Sequence, residues 1–178
     1  LEYSPPAYNE DTGLVYLPGL NLCTINRALP LGGGANLSPA VIAFGGTTKA
    51  APERPSGFLA ALDPSTGHIR WQVHVPAPMI GGALATAGNL VFSGADNGRF
   101  YAFDAQTGAI LWQSPVGLGF GAAPITYMVH GVQYIAIAAG GSAVAPETGA
   151  KVGGRLLVFR LGGTSVACLT AKHCSTSP

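Results

Sequence analysis

Charged side chains are scarce in this sequence. They make up 10% of its 178 residues, against 48% hydrophobic, whereas soluble proteins carry about 25% charge. Much of the surface is therefore expected to meet something other than water, either a partner or further chain. The charges nearly cancel, at a formal net of +1, which removes the electrostatic basis for a nucleic-acid partner. Long hydrophobic runs are missing too. No uninterrupted apolar stretch approaches the ~20 residues of a membrane span, so no transmembrane segment is expected. No stretch repeats its apolar residues at 3.6 with caps, so helix is expected to be almost absent. The sequence opens at Leu1 without an initiator methionine or a charged-then-apolar leader, and its start is expected to have been removed or never included. Cys23, Cys168 and Cys174 leave at least one thiol unpaired if bridges are intrachain. Cys168 and Cys174 could close a small loop in an oxidising compartment or stand free in a tail.

What the sequence does have is a repeat. Gly57-Phe-Leu-Ala-Ala-Leu-Asp63-Pro-Ser-Thr66-Gly67-His-Ile-Arg-Trp71-Gln72 returns as Gly98-Arg-Phe-Tyr-Ala-Phe-Asp104-Ala-Gln-Thr107-Gly108-Ala-Ile-Leu-Trp112-Gln113, at a constant offset of 41 residues. A period near 40 whose unit reads strand, turn, strand points to a β-propeller or a related stack of small sheets. The abundant glycines and prolines fall between short apolar runs and read as turn punctuation.

The middle unit offers strands near Ala83–Thr86, Leu90–Ser93, Arg99–Asp104 and Ala109–Gln113, bounded by Gly and Asn, which tolerate the positive φ of tight turns. Phe100 to Phe103 is apolar on both faces, as in a sheet covered on both sides. An earlier unit reads Pro6–Tyr8, Leu14–Pro18, Phe58–Asp63 and His68–His74, interrupted by a long Gly/Pro-rich loop, Gly19–Ser56. A later one reads Ala123–Met128, Gln133–Ala139 and Arg155–Arg160, without a fourth strand. The expected fold is all-β: a partial propeller over residues 1–160, with blades at about 3–76, 77–117 and 118–160, followed by a flexible tail at 161–178. So few blades cannot close a ring of four to eight. Open flanks would expose apolar surface and strand edges, so the arc is expected to be completed by further blades or by another copy of the chain.

Because strands within a blade alternate direction, Gly19–Ser56, Pro76–Gly82, Pro115–Gly121 and Gly140–Gly154 should share one mouth of the propeller. The Asp-x-x-Thr-Gly turns should lie on the other. Residues recurring in each blade, Asp63, Thr66, Gly67 and Trp71 with Asp104, Thr107, Gly108 and Trp112, are expected to be scaffold: carboxylates capping turns and tryptophans wedged between blades. No catalytic constellation is visible from spacing. His68, His74, His130 and His173 lack metal-ligand spacing. Cys168 to Cys174 is not a haem-attachment pattern, Ser142 sits in no nucleophile elbow, and Gly32-Gly33-Gly34 lacks the strand-to-helix setting of a phosphate loop.

The run Gly81-Gly82-Ala-Leu-Ala-Thr86-Ala87-Gly88-Asn89-Leu-Val-Phe-Ser-Gly94-Ala-Asp96-Asn-Gly98, on through Asp104 and Gly108 to Trp112, followed by Ala123-Pro124-Ile-Thr-Tyr127 and Gly131-Val-Gln133-Tyr134, resembles the C-terminal end of the pyrroloquinoline quinone (PQQ)-dependent alcohol, methanol and glucose dehydrogenases. Pro5-Pro6-Ala-Tyr8-Asn9 with Thr12-Gly13-Leu-Val-Tyr16 resembles an earlier blade of the same family. The resemblance covers about residues 3–160. It implies an eight-bladed propeller outside the cytoplasm, periplasmic or otherwise extracytoplasmic. PQQ would lie in an axial funnel with Ca²⁺ or a lanthanide, and would take hydride from an alcohol or aldose while an aspartate takes the proton. In the family that aspartate and the metal ligands precede this region. The chain is thus expected to supply funnel wall, to hold no metal ligand or catalytic residue of its own, and to be inactive alone. Carried over residue by residue, the cofactor contacts would be Ile80, where methanol-type members have tryptophan, with Gly81, and Gly140-Gly141-Ser142. At the latter place alcohol-oxidising members have Gly-Trp-Gly and glucose-type members Gly-Gly-His. A non-catalytic propeller of the same repeat, binding protein partners as a scaffold, is the competing reading and is favoured by Ile80. A truncated coding sequence without activity is the third.

Overall fold

Short apolar runs separated by Gly and Asn turns pair with their neighbours in sequence, and three antiparallel sheets result. The computed structural model describes residues 4–28, 46–141, 151 and 153–163. Among these residues every element is a strand, thirteen in all. The first sheet orders β1 (Ala7–Asn9), β2 (Leu14–Asn21), β5 (Ser56–Leu62) and β6 (Ile69–Val75); the second orders β7 (Ala83–Thr86), β8 (Leu90–Gly94), β9 (Arg99–Asp104) and β10 (Ile110–Pro115). The third holds β11 (Ile125–Val129), β12 (Val132–Ala139) and β13 (Arg155–Arg160). This is the all-β arc of a propeller.

The Gly19–Ser56 segment is more than a loop. β2 continues to Asn21, and β3 (Thr24–Ala28) pairs with β4 (Gly46–Ala50) as a two-stranded ribbon in the register Ile25↔Lys49 and Arg27↔Thr47. Neither strand has the apolar alternation that marks a half-buried strand, which is why the sequence reads as loop. Its side chains on β3 are all exposed.

The core sits between sheets, and strand alternation sorts side chains onto two faces. Val91, Tyr101 and Phe103 of the second sheet join Leu14, Tyr16, Leu59, Ala61 and Val75 of the first. Phe100, with Phe92 and Leu84, turns the other way to Phe120, Ile135, Ile137 and Leu157. Tyr16, Phe100, Phe103 and Phe120 are all fully buried, each contributing about 1.5–3 kcal/mol by leaving water. The doubly apolar Phe100–Phe103 run is thus explained by a neighbouring blade on each side.

The innermost strands are tied across the blade boundary: Ala83 N–H donates to Pro5 O at 3.1 Å and the Asn9 amide to Thr86 O at 2.9 Å. The far flank of the third sheet has no such cover among the described residues. Cross-strand register places Ile125, Tyr127, Val129, Val132 and Leu156 on that flank, and all five are exposed. Tyr127 and Tyr134 stack there at 5.4 Å.

Candidate functional site

The connections entering each sheet meet at one place. Ile80-Gly81-Gly82 runs between Pro5, which precedes the first sheet, and Ala122-Ala123, which precede the third. A side chain at Gly81 would lie 2.7 Å from Ala122 O, and one at Gly82 2.8 Å from Pro5. Gly82 also holds φ +88°, where glycine alone is unstrained. The segment is pinned from both sides, because the Ser4 hydroxyl donates to Ile80 O and the fully buried Ser93 hydroxyl donates to Gly82 O at 2.8 Å. Ile80 itself is 3% exposed. The glycines at this point let three blades approach.

Gly140 lies on the other side of the same connecting segment. Its N–H donates to Gly119 O at 2.8 Å, Gly153 N–H donates back to Gly140 O at 2.6 Å, and Gly119 N–H donates to Lys151 O at 3.2 Å. A side chain at Gly140 would strike Gly153 O, whereas Gly141 is exposed and a Cβ there would meet nothing within 4 Å among the described residues. Residues Gly119 to Ala122 therefore link the two predicted glycine sites. Ser142 lies outside the described residues, as do Gly32-Gly33-Gly34, Cys168, His173 and Cys174. Cys23 is an exposed free thiol. Further bonds knit this mouth: Met79 N–H to Gly19 O, Asp96 N–H to Pro78 O, and Val116 N–H to Gly98 O.

The opposite mouth carries the repeated turns. Asp104 Oδ1 accepts from Gln106 N–H, Thr107 N–H and the Thr107 hydroxyl at 2.8–2.9 Å, while Asn89 donates to Oδ2 at 2.8 Å. Asp63 Oδ1 accepts from Ser65 N–H and the Ser65 hydroxyl. These bonds to the charged form hold both carboxyls below the ordinary aspartate range, those of Thr107 acting most at Asp104 and the Ser65 hydroxyl most at Asp63. A third copy of the turn, missed in the repeat, closes the first hairpin: Asn9 Oδ1 accepts from Asp11 and Thr12 N–H, and Gly13 takes φ +68°. The signal was present as Asn9-x-x-Thr12-Gly13, displaced to a different pair of strands.

Trp71 and Tyr16 of the first sheet both donate to one acceptor in the second. The Trp71 indole and the Tyr16 hydroxyl each lie 3.1 Å from Ala105 O. Trp71 reaches it because β6 carries a bulge: Leu62 pairs with Ile69 and Ala61 with Trp71, so Arg70 is skipped. The same irregularity skips Leu111 on β10 and aims Trp112 at Phe100 and Phe159, edge-on at 6.3 and 5.5 Å.

The repeated turns thus gather at one mouth, and closely packed glycine segments at the other. The model of the PQQ family, described as the glucose/ethanol/alcohol dehydrogenase β-propeller domain, matches residues 47–135. The chain belongs to that family. Among members of this dehydrogenase propeller family, quinohemoprotein alcohol dehydrogenase ADH-IIG of Pseudomonas putida is 35% identical over 92% of this chain, and quinoprotein alcohol dehydrogenase PedH of the same species 36% over 90%. The chain spans about a quarter of these curated relatives, 25% and 27% of their lengths. The solved ADH-IIG structure superposes with a TM-score of 0.77 at 33% identity, covering 99% of this chain and 28% of that one. A europium-containing methanol dehydrogenase superposes at 0.68 and 26% identity, over 88% of this chain and 32% of that one. Among the described residues no three His, Cys, Asp or Glu side chains gather as metal ligands, and no helix is long and apolar enough to cross a membrane.

Proposed function

We propose that this arc is the C-terminal part of a PQQ-dependent dehydrogenase acting on alcohols or aldoses in the periplasm, and that it supplies funnel wall without catalytic groups of its own. The observation that carries the reading is the convergence of three blade entries on Ile80-Gly81-Gly82 in a chain of this family. PQQ, when bound with its Ca²⁺ or lanthanide, supplies the hydride-accepting carbonyl. The residues present fit a wall better than a ligand set. Ile80 is covered, Gly81 and Gly140 are filled by neighbouring backbone, and Gly141 is the predicted contact whose Cβ would meet nothing within 4 Å among the described residues. The hydroxyls of Ser4 and Ser93 bond the wall's carbonyls, which fixes its shape without adding charge. The base and the metal ligands then come from other blades, and the arc alone is inactive.

The test is a chimera in which residues 4–163 replace the matching quarter of ADH-IIG. Uptake of PQQ with Ca²⁺, read by quinone absorbance, and dye reduction with a primary alcohol are expected. A folded chimera that takes up no cofactor would overturn the assignment.

A further inference from the structure

Charge in this protein is sparse but sorted. Arg27 and Lys49 stand on one face of the β3–β4 ribbon, through the pairs Arg27↔Thr47 and Ile25↔Lys49. Arg54 lies just before β5, Arg99 opens β9, Lys151 precedes β13 and Arg155 opens it. All six are exposed and belong to the mouth that carries the Ile80–Gly82 segment. Among the described residues, Glu53 is the exposed acid on this mouth, Asp96 being buried at 2%. The other mouth has the reverse balance: Glu10, Asp11, Asp63 and Asp104 on the turns, against Arg70 and Arg160 at the neighbouring strand ends. Turn hydrogen bonds hold the carboxyls of Asp63 and Asp104 below the ordinary aspartate range.

Among the described residues this distribution is a dipole, with its positive end at the ribbon mouth. Such a field acts over about one Debye length, ~10 Å at 0.1 M salt, and orients an oncoming partner before contact. We propose that the ribbon mouth is a docking face for an acidic protein surface, the ribbon reaching out as its first point of contact. A protein fits better than the other polyanions. The six bases are spread over the ribbon and three blades and form no continuous stripe, and the ribbon lacks the aromatic platforms on which single-stranded nucleic acid stacks. Ile25, 45% exposed between Arg27 and the ribbon's base, adds an apolar contact suited to a protein rim.

The experiment titrates the full chain with poly-L-glutamate as the acidic probe, with single-stranded DNA and phosphatidylglycerol vesicles as parallel arms, at several salt concentrations. Binding to polyglutamate is expected to weaken about tenfold or more between 20 and 200 mM salt. The Arg27→Glu/Lys49→Glu pair should weaken it several-fold further at low salt. Glu10→Lys/Asp11→Lys, on the far mouth, should leave it unchanged. Circular dichroism of each variant verifies the fold. Equal losses from either mouth, tighter binding to DNA or vesicles than to polyglutamate, or salt-sensitive self-association through opposite mouths would each overturn the proposal.

Discussion

Ala105 O is a buried carbonyl served by two side chains of the neighbouring blade, and its removal from one or both donors should not be additive. Ala105 is fully buried, and burial holds the Tyr16 phenol above its ordinary range, so it remains a donor at neutral pH. Tyr16→Phe leaves the carbonyl with the Trp71 indole and breaks the 2.7 Å bond between the Thr12 and Tyr16 hydroxyls, after which the Thr12 hydroxyl turns to Asn9 O, 3.3 Å away. The expected cost is one net hydrogen bond, about 1 kcal/mol. Trp71→Phe leaves the carbonyl with the Tyr16 hydroxyl but loses ring area, for about 1–2 kcal/mol. The double variant strands the carbonyl, and desolvation without a partner adds about 1–2 kcal/mol beyond the sum of the singles. Urea unfolding followed by circular dichroism, with common m-values, measures all three. Tyr16→Phe with Trp112→Phe serves as the control pair, since Trp112 shares no acceptor with Tyr16, and should be additive. Additivity of the Tyr16/Trp71 pair to within about 0.5 kcal/mol would refute the shared-acceptor reasoning.

Three further outcomes follow from the geometry. Gly81→Ala drives a methyl into Ala122 O and should cost about 1–3 kcal/mol, whereas Gly141→Ala should be near neutral; similar unfolding midpoints for the two would contradict the packing role. Asp63 has a folded-state pKa below its unfolded one, so its contribution is complete above the unfolded value and is lost as pH falls through the folded one. Asp63→Asn keeps the acceptor oxygen, as Asn9 does in the first turn, and should flatten the stability profile below about pH 4; an unchanged acid limb would count against it. Tyr127→Glu with Val132→Glu places charge on the open flank of the third sheet and should lower the mass seen by sedimentation, with an unaltered oligomer distribution as the contrary result.

The blades were legible because each strand is delimited by residues whose backbone preferences are local. Asp104-x-x-Thr107-Gly108 specifies its turn whatever surrounds it, and Phe100–Phe103 betrays burial on both faces. What stayed hidden depends on partners distant in sequence. The β3–β4 ribbon has no apolar face to leave a pattern, and its pairing is set by the chain ends that emerge from β2 and β5. Gly81 reads alike as cofactor wall or as packing, and the approach of Ala122, contributed by another blade, gives it a packing role. The turn at Asn9 falls outside the 41-residue repeat because the same hydrogen-bond module closes a different hairpin, between β1 and β2, there.

The skipped residues Arg70 and Leu111 set the parity of their strands. Side chains change sides with every residue, so pairing the same strands without the skip, with Arg70 opposite Ala61 and Leu111 opposite Ala102, would carry each tryptophan to the opposite surface of the sheet, Trp71 outward and Trp112 back toward the first blade. The spare residue therefore acts as a handedness key. It fixes which side of each sheet receives the tryptophan, and so where the following blade is met: Trp71 at Ala105 O and Trp112 at Phe159.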